Sequence, residues 1–523
     1  MDRVDLPEDS IHEVGQLCEA ALRAAAAELS AADLDGIERR LQAVGRAVLG
    51  EVVERVLTLR AAGEGTDRLP CPHCGGAMRR VDQARTRDIQ GVVGDYTIRR
   101  AYDLCDACRR GQAPLDVRIG LGPGTISPSL LRAVCRLGIE TSFAEAMDAV
   151  RETLGVSVAD ETARRDTEGI GAVAEADQQA DVDAARQGRP IAATAPIATG
   201  VLAVAVDGVQ APQRDGWHEM KVGTLAPLGP GLRVDAETGR THLAWGEASY
   251  CAGGEEAEAF WWRVYAEACR RGLGTPAVRT VVMLGDGAEW IWHRARLFLG
   301  VRGVEVVEVV EIVDIYHVYE YLWEVGNAVF GAGSARAAGW VQPLKDRLYE
   351  QGAAPVLAAL HALTPDTDAA AEVVRVALGY VTTQAARLDY PRFVARSLPV
   401  GSGAVESTCK VLIAARAKGA GMRWSHAGLQ AIASLRALQR SGRWDRFWQT
   451  QPQRRAPSLH ALPRPRPAVA PVTASPPHAS PPPVVVPPPV APSAAASLAL
   501  TPRPRPTPLR HQRPFLPPRA RSA

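Results

Sequence analysis

No apolar run in the sequence is long enough to cross a bilayer as a helix, so no helical membrane span is expected. The N-terminus, MDRVDLPEDS, is acidic and lacks the apolar core of a signal peptide, which points to the cytoplasm. The glycine-rich GLGPGT at 120–125 lacks the Lys-Ser or Lys-Thr that completes a P-loop, and reads as a plain loop. The GSG at 401–403 does not have the GxSxG spacing, and no His is placed by the sequence to activate Ser402, which argues against a serine hydrolase. Acids are missing altogether from Gln451 to Ala523, where ten Arg and no Lys occur. The whole chain of 523 residues carries only +2, so a tail of +10 leaves −8 for residues 1–450.

Nine cysteines are present, four of them in two CxxC knuckles. Cys71-Pro-His-Cys74 and Cys105-Asp-Ala-Cys108 give the spacing that closes a tetrahedral zinc site, two thiolates from each turn. Without a secretory signal this pattern favours a metal site over disulfides. Between the knuckles, GVVGDYTIRRAYDLC has a Gly-Asp turn and then alternation at Tyr96, Ile98 and Arg100, as in the hairpin of a zinc ribbon. His73 is read as lying beside the site. A ribbon this small depends on its metal to fold, so the zinc should be structural. Eight arginines (79, 80, 85, 87, 99, 100, 109 and 110) suit either contact with a nucleic-acid backbone or a solvated face.

The expected architecture is multidomain α+β. Residues 1–66 read as helices, 67–118 as the ribbon, and 119–178 as a helical, helix-turn-helix-like region. In that region Gly155 supplies a turn and Val158–Ile170 a candidate recognition helix carrying Arg164 and Arg165, with simple packing as the alternative. Residues 179–200 read as a linker and 201–450 as a mixed α/β domain with a helical insertion at about 325–395. Residues 451–523, with PPPVVVPPPV and two PRPRP elements, have the composition of a disordered polyproline II tail.

Two apolar runs of the α/β domain end in acids: VLAVAV at Asp207 and VVMLG at Asp286. Strand ends in such sheets are where ligands bind. A third acid, Glu406, stands in the first turn of a helix opened by Ser402 or Gly403, with Lys410, Arg416, Lys418 and Arg423 behind it. Converging carboxylates require a cation, and hard oxygen donors select Mg²⁺ or Mn²⁺.

The sequence resembles the DDE transposases of bacterial insertion sequences, specifically the ISKra-type group. The resemblance covers most of residues 68–448. It rests on CPHC and CDAC, PLDVRIGL, SFAEAMDAV, AVDGV with DGWHEMKVG, GDGAEWIW, VDIYHVYEYL, PVGSGAVESTCK, ARAKGAGMRWS and WDRFW, in that order. It implies an RNase H-like core and metal-dependent cleavage and joining of DNA strands, with Asp207, Asp286 and Glu406 as the acid triad. Asp314 and His317 belong to a further family-like motif: His317 could contact the scissile phosphate, and Asp314 is the alternative second ligand. The segment YVTTQAARLDY departs from the family pattern at Val381, Gln384 and Leu388. The implied partners are the double-stranded DNA of transposon ends and target, with a homo-oligomer assembled on DNA in the nucleoid. Lys410, Arg416, Lys418, Arg423, Arg164 and Arg165 are the candidate DNA contacts. A DNA-binding protein with an inactive core is the alternative reading.

Overall fold

Two long helices, α1 (Glu8–Ala31) and α2 (Leu34–Ala62), open the chain in the computed structural model. The structure describes residues 7–62, 69–234, 239, 241–292, 308–401, 403–454 and 460–461. Ser402, the candidate helix cap, and nearly all of the Pro/Arg-rich tail lie outside the described residues. The turn between α1 and α2 is set by Asp33, whose Oδ1 accepts the Gly36 N–H at 2.9 Å. No helix among the described residues is long and apolar enough to cross a membrane.

The ribbon follows as β1 (Met78–Gln90), β2 (Asp95–Cys105) and β3 (Arg110–Gln112). β1 and β2 form the expected antiparallel hairpin, from Met78 opposite Cys105 to Gln90 opposite Asp95. Gly94 makes the turn possible: its φ is +147°, and a Cβ there would lie 2.1 Å from the Arg46 carbonyl oxygen on α2. Leu57 of α2 packs with Ile89, Ile98, Leu115 and Leu121 of the ribbon and the short α3 (Pro114–Arg118). Arg46 donates to the carbonyls of Val92 at 2.6 Å and Leu154 at 3.1 Å, tying α2 to the ribbon turn and to the helices beyond.

Those helices are α4 (Pro128–Gly138), α5 (Phe143–Leu154) and α6 (Asp160–Arg186). Ser142 and Glu145 form a reciprocal capping box on α5, and Gly155 ends it in the left-handed region. Two expectations are revised. α6 continues through the first part of the expected linker, to Arg186. Nor do α4–α6 stand apart: Leu130, Val150, Ile170 and Ala174 share a core with Met220 and Val222 of the sheet and with Leu429, Ile432 and Trp448.

The sheet consists of β4 (Gly200–Gln213), β5 (Gly216–Val234), β6 (Thr241–Trp245), β7 (Ser249–Gly253), β8 (Val278–Gly285) and β9 (Glu308–Val313). Its order is β6-β5-β4-β8-β9, with β7 also on β5. β4 is antiparallel to β5, which is antiparallel to β6 and β7; β8 and β9 continue the sheet in parallel with β4. β8 joins two parallel neighbours and is apolar nearly throughout, as a strand covered on both faces must be.

Helix α7 (Ala257–Arg270) joins β7 to β8, and α8 (Glu289–Trp292) follows β8. Five helices follow β9: α9 (Ile315–Phe330), α10 (Ala335–Gln351), α11 (Ala353–His361), α12 (Asp368–Gln384) and α13 (Tyr390–Ala395). Val318, Leu322, Val341, Leu348 and Val381 extend the sheet core outward through these helices. α14 (Gly403–Thr408) continues without a break into a π-helical turn, Cys409–Ala414, and then Ala415–Ala417. α15 (His426–Arg440) and α16 (Trp444–Arg454) complete the helices. α16 runs past the expected start of the tail, and His460–Ala461 pairs with β3.

α6 and α15 cross at Gly171, where an added Cβ would sit 2.4 Å from the Ala431 carbonyl oxygen. Gly171→Ala should therefore force the helices apart and destabilise the protein by about 1–3 kcal/mol. A melting temperature equal to the parent's would show that the crossing can relax.

Candidate functional site

Parallel pairing brings the first two acids level. Ala205 of β4 faces Leu284 of β8, so Asp207 and Asp286 fall two residues beyond the same rung on neighbouring strands. Gly285 faces Val313, which puts Asp314 beside them at the head of α9. Glu406 arrives from another direction, on α14, which packs against β4 and β5. Thr224 of β5 donates its hydroxyl to Thr408 at 2.9 Å and pins the end of that helix.

The three carboxylates feel one another. Burial pushes the Asp207 carboxyl above its ordinary value, and the fields of Asp286 and Glu406 add to the rise. The Gly208 N–H, donating to Oδ1 at 2.7 Å, and the Cys409 thiol, donating to Oδ2 at 3.5 Å, oppose it. Burial and the Asp207 charge in turn raise the Cys409 pKa and keep its thiol protonated as a donor. Asp286 accepts the Ala288 N–H at 2.9 Å through Oδ1. Its turn is held from α12: the Tyr380 hydroxyl donates to the Asp286 carbonyl at 2.7 Å, and Gln384 Nε2 to the Gly287 carbonyl at 2.9 Å. Gly287 has φ +95°, and a Cβ there would meet the Tyr380 hydroxyl at 2.5 Å. The strand tops thus form an acidic surface of hard oxygen donors, but among the described residues only the four knuckle cysteines bring their ligand atoms within 4.8 Å of one another.

Asp314 is 2 % exposed and caps α9, accepting the Tyr316 N–H at 2.9 Å. His317 is half-buried, with Nδ1 3.2 Å from Glu320 and its ring edge-on to Tyr321. Tyr321 stacks on Tyr380 at 4.2 Å, so His317 belongs to the aromatic group that backs the Asp286 turn.

The four knuckle cysteines converge. Their sulfur atoms all lie within 4.8 Å of one another, with Cys71 to Cys108 at 3.6 Å and Cys74 to Cys105 at 3.5 Å. Tetrahedral zinc with bonds of 2.3 Å separates its sulfurs by about 3.8 Å, so the cluster could bind a structural metal such as zinc. Burial acts against ionising Cys71, yet the backbone N–H groups of His73 and Cys74 outweigh it and bring the thiol down to about 7. Cys108 goes the other way, to about 12, through burial and the neighbouring sulfurs. The Cys71 thiolate thus forms readily, whereas Cys74 and Cys108 are raised and need a cation to ionise. His73 stays outside the cluster, 3.1 Å from Arg110.

The candidate DNA contacts separate into engaged and open cations. Arg416 is 2 % exposed and leaves the surface row: it donates to the Gly138 carbonyl at 2.9 Å, between the rings of Phe143 and Trp424. Burial lowers its pKa to about 10. Arg164 is paired with both Glu161 and Glu168, and Arg165 with Asp166. Lys410 is exposed and 3.8 Å from Glu406, a weak surface pair. Lys418 and Arg423 are exposed, and no ion pair holds either among the described residues. On the ribbon, Arg79, Arg80, Arg87 and Arg100 are taken up by Asp106, Asp103 and Asp116, and Arg100 is buried. Half of the eight ribbon arginines are thus neutralised from within.

Sequence reasoning missed Cys409, Tyr380 and the positive role of Gln384. Gln384 had a signal, since it is where the chain departs from the family pattern. Cys409 and Tyr380 had none, because their partners are distant in the chain. Compared with known proteins, the chain matches no family model and no curated relative.

A raised Asp207 pKa means that the folded state binds this proton more tightly than the unfolded state. Its contribution to stability therefore declines as pH climbs from the ordinary value of 3.8 through the raised one. Asp207→Asn should raise the melting temperature at pH 7 by about 1–2 °C without divalent ions. Mg²⁺ should stabilise the parent more than this variant, and equal Mg²⁺ responses would count against Asp207 as a ligand. Purified protein should carry one zinc per chain by elemental analysis. Cys105→Ser should lose it, and zinc retained at parental stoichiometry would refute the cluster as its site.

Proposed function

We propose that this chain is a DDE transposase of a bacterial insertion sequence, with an RNase H-like core that cleaves and joins DNA by metal-dependent phosphoryl transfer. One observation carries the reading. Asp207, inside β4 just past its last parallel rung with β8, and Asp286, just past the end of β8, stand at the same height, and the charge of Glu406 on a separate helix is felt at Asp207. Three antiparallel strands continued by two parallel ones, with helices on both faces, agree with an RNase H-like core.

Mg²⁺ or Mn²⁺ held by Asp207, Asp286 and Glu406 would supply Lewis-acid stabilisation of the phosphodiester and a more acidic nucleophile. The protein's own part is to fix those acids. Asp207 is oriented by the Gly208 N–H and the Cys409 thiol, and Asp286 by the Ala288 N–H and the Tyr380–Gln384 brace. Glu406 stays exposed and free to swing, with Lys410 beside it to meet a phosphate. Lys418 and Arg423 would neutralise further phosphates. The buried Arg416 serves instead to fasten the helix after Glu406 to α4. The zinc ribbon acts structurally, and a homo-oligomer forms on DNA in the cytoplasm. Arg164 and Arg165, paired as they are, contribute less to DNA than Lys418 and Arg423.

The test uses the full chain with Mg²⁺ and duplexes taken from the DNA on either side of its gene. Cleavage and joining at inverted repeats are expected. Asp207→Asn, Asp286→Asn and Glu406→Gln should each lower the rate by about a thousandfold or more while binding persists, since each removes several kcal/mol of transition-state stabilisation. Cleavage retained in Asp207→Asn overturns the triad. Tight binding with no cleavage of any end by the parent would instead favour the inactive DNA-binding protein.

A further inference from the structure

The β4–β5 hairpin projects beyond the acids and ends in an Arg214-Asp215 turn. Trp217, on its rising strand opposite Pro212, is 64 % exposed, the most exposed of the large aromatic side chains in the described core. The loop from Lys418 to Arg423 closes against this hairpin. The Arg214 N–H donates to the Trp424 carbonyl at 2.9 Å, and the Trp424 N–H to the Pro212 carbonyl at 3.3 Å. A groove of about 270 Å³ runs between hairpin and loop, lined by Trp217, Lys418, Arg423 and Gln213.

Three features of the groove ask for an occupant. Gln213 is only 3 % exposed, yet its side-chain Nε2 has no hydrogen-bond partner; leaving such a donor buried and unpaired costs about 1–3 kcal/mol. Lys418 and Arg423 are exposed cations without ion pairs among the described residues, unlike Arg164 and Arg165, which are paired, and Arg416, which is buried. Gly419 and Gly421 leave the loop backbone open to close approach, with Gly421 at φ +75°. An indole face, two cations and one amide donor together match a nucleotide with its base unstacked: ring for base, cations and amide for phosphate.

We propose that this groove binds single-stranded DNA, stacking one base on Trp217 and holding the adjoining phosphates with Lys418, Arg423 and the Gln213 amide. The proposal rests on the transposase reading for its biological setting but not for its chemistry. Gln213 lies six residues beyond Asp207 on β4, about 20 Å at strand rise. That is about six base steps of a strand passing the acids. The groove is then placed to take a frayed or displaced strand close to the site of cleavage.

The experiment measures binding of a labelled oligo-dT and of a blunt duplex of equal length to the zinc-loaded full chain, without added Mg²⁺ and without chelator. Trp217→Ala should weaken oligo-dT binding about tenfold or more, within the range expected for one stacked base. It should leave duplex binding within about twofold, and Trp217→Phe should restore most of the loss. The residue is mostly exposed, so folding is not at stake, and melting curves verify this. Gln213→Leu fills the same space without a donor; relieved of the unpaired donor it should melt no lower than the parent, and it should still weaken oligo-dT binding several-fold. Removing Lys418 and Arg423 together should flatten the salt dependence by about 1.4 in log–log slope. Three results overturn the groove: no effect of Trp217→Ala, equal weakening of both DNA forms, or no measurable oligo-dT binding by the parent. Asp207→Asn should bind oligo-dT as the parent does. Loss of cleavage activity therefore bears on the triad alone, and loss of strand discrimination on the groove alone.

Discussion

Like charges brought together on a protein surface must be separated, neutralised or compensated, and the arrangement around Asp207 depends on that constraint. Parallel pairing of β4 with β8 leaves no freedom to keep Asp207 and Asp286 apart, because the strand register sets their heights. The surrounding structure answers with donors: backbone N–H groups at Gly208 and Ala288 and the thiol of Cys409. These are dipoles rather than cations. They orient the carboxylates but leave the charge for something else to balance.

A second electrostatic pattern ties together helices that lie far apart in the chain. Arg263 on α7 is 5 % exposed and donates to Glu175 and Gln178 of α6 and to Glu255 before its own helix. Glu175 also accepts from Gln430 and Ser434 of α15. Arg436 reaches from α15 to the Leu412 carbonyl and to Glu140 beyond α4. Each buried guanidinium has several acceptors, which is the condition under which such an ion is tolerable. The helices in front of the sheet are thereby locked to those behind it, and α6 cannot leave as a free recognition helix without exposing unpaired charge.

Much of this was legible in the sequence because its signals are local. Continuous apolar runs marked β4 and β8, the CxxC pairs marked the thiol cluster, and Gly155 marked the end of a helix. What was not legible depends on partners far along the chain. Arg416 reads as a surface cation until Phe143 and Trp424 are found on either side of it. The stretch 179–186 has the polar, alanine-rich look of a linker, yet Val182 and Ala185 are buried and keep it helical. Tyr380 and Gln384 sit about a hundred residues from the turn they brace, and no periodicity could reveal that.

The π-helical turn after Glu406 holds one more residue than an α-helical turn would. It adjusts the phase between the acid at the start of this segment and the arginine near its end. Forcing the same residues into ordinary α-helix would advance the later ones by roughly a further 100° relative to Glu406. Arg416 would then miss the slot between its two rings, or Glu406 would turn from Asp207. The extra residue of the turn is thus what lets both ends of the segment meet their partners at once.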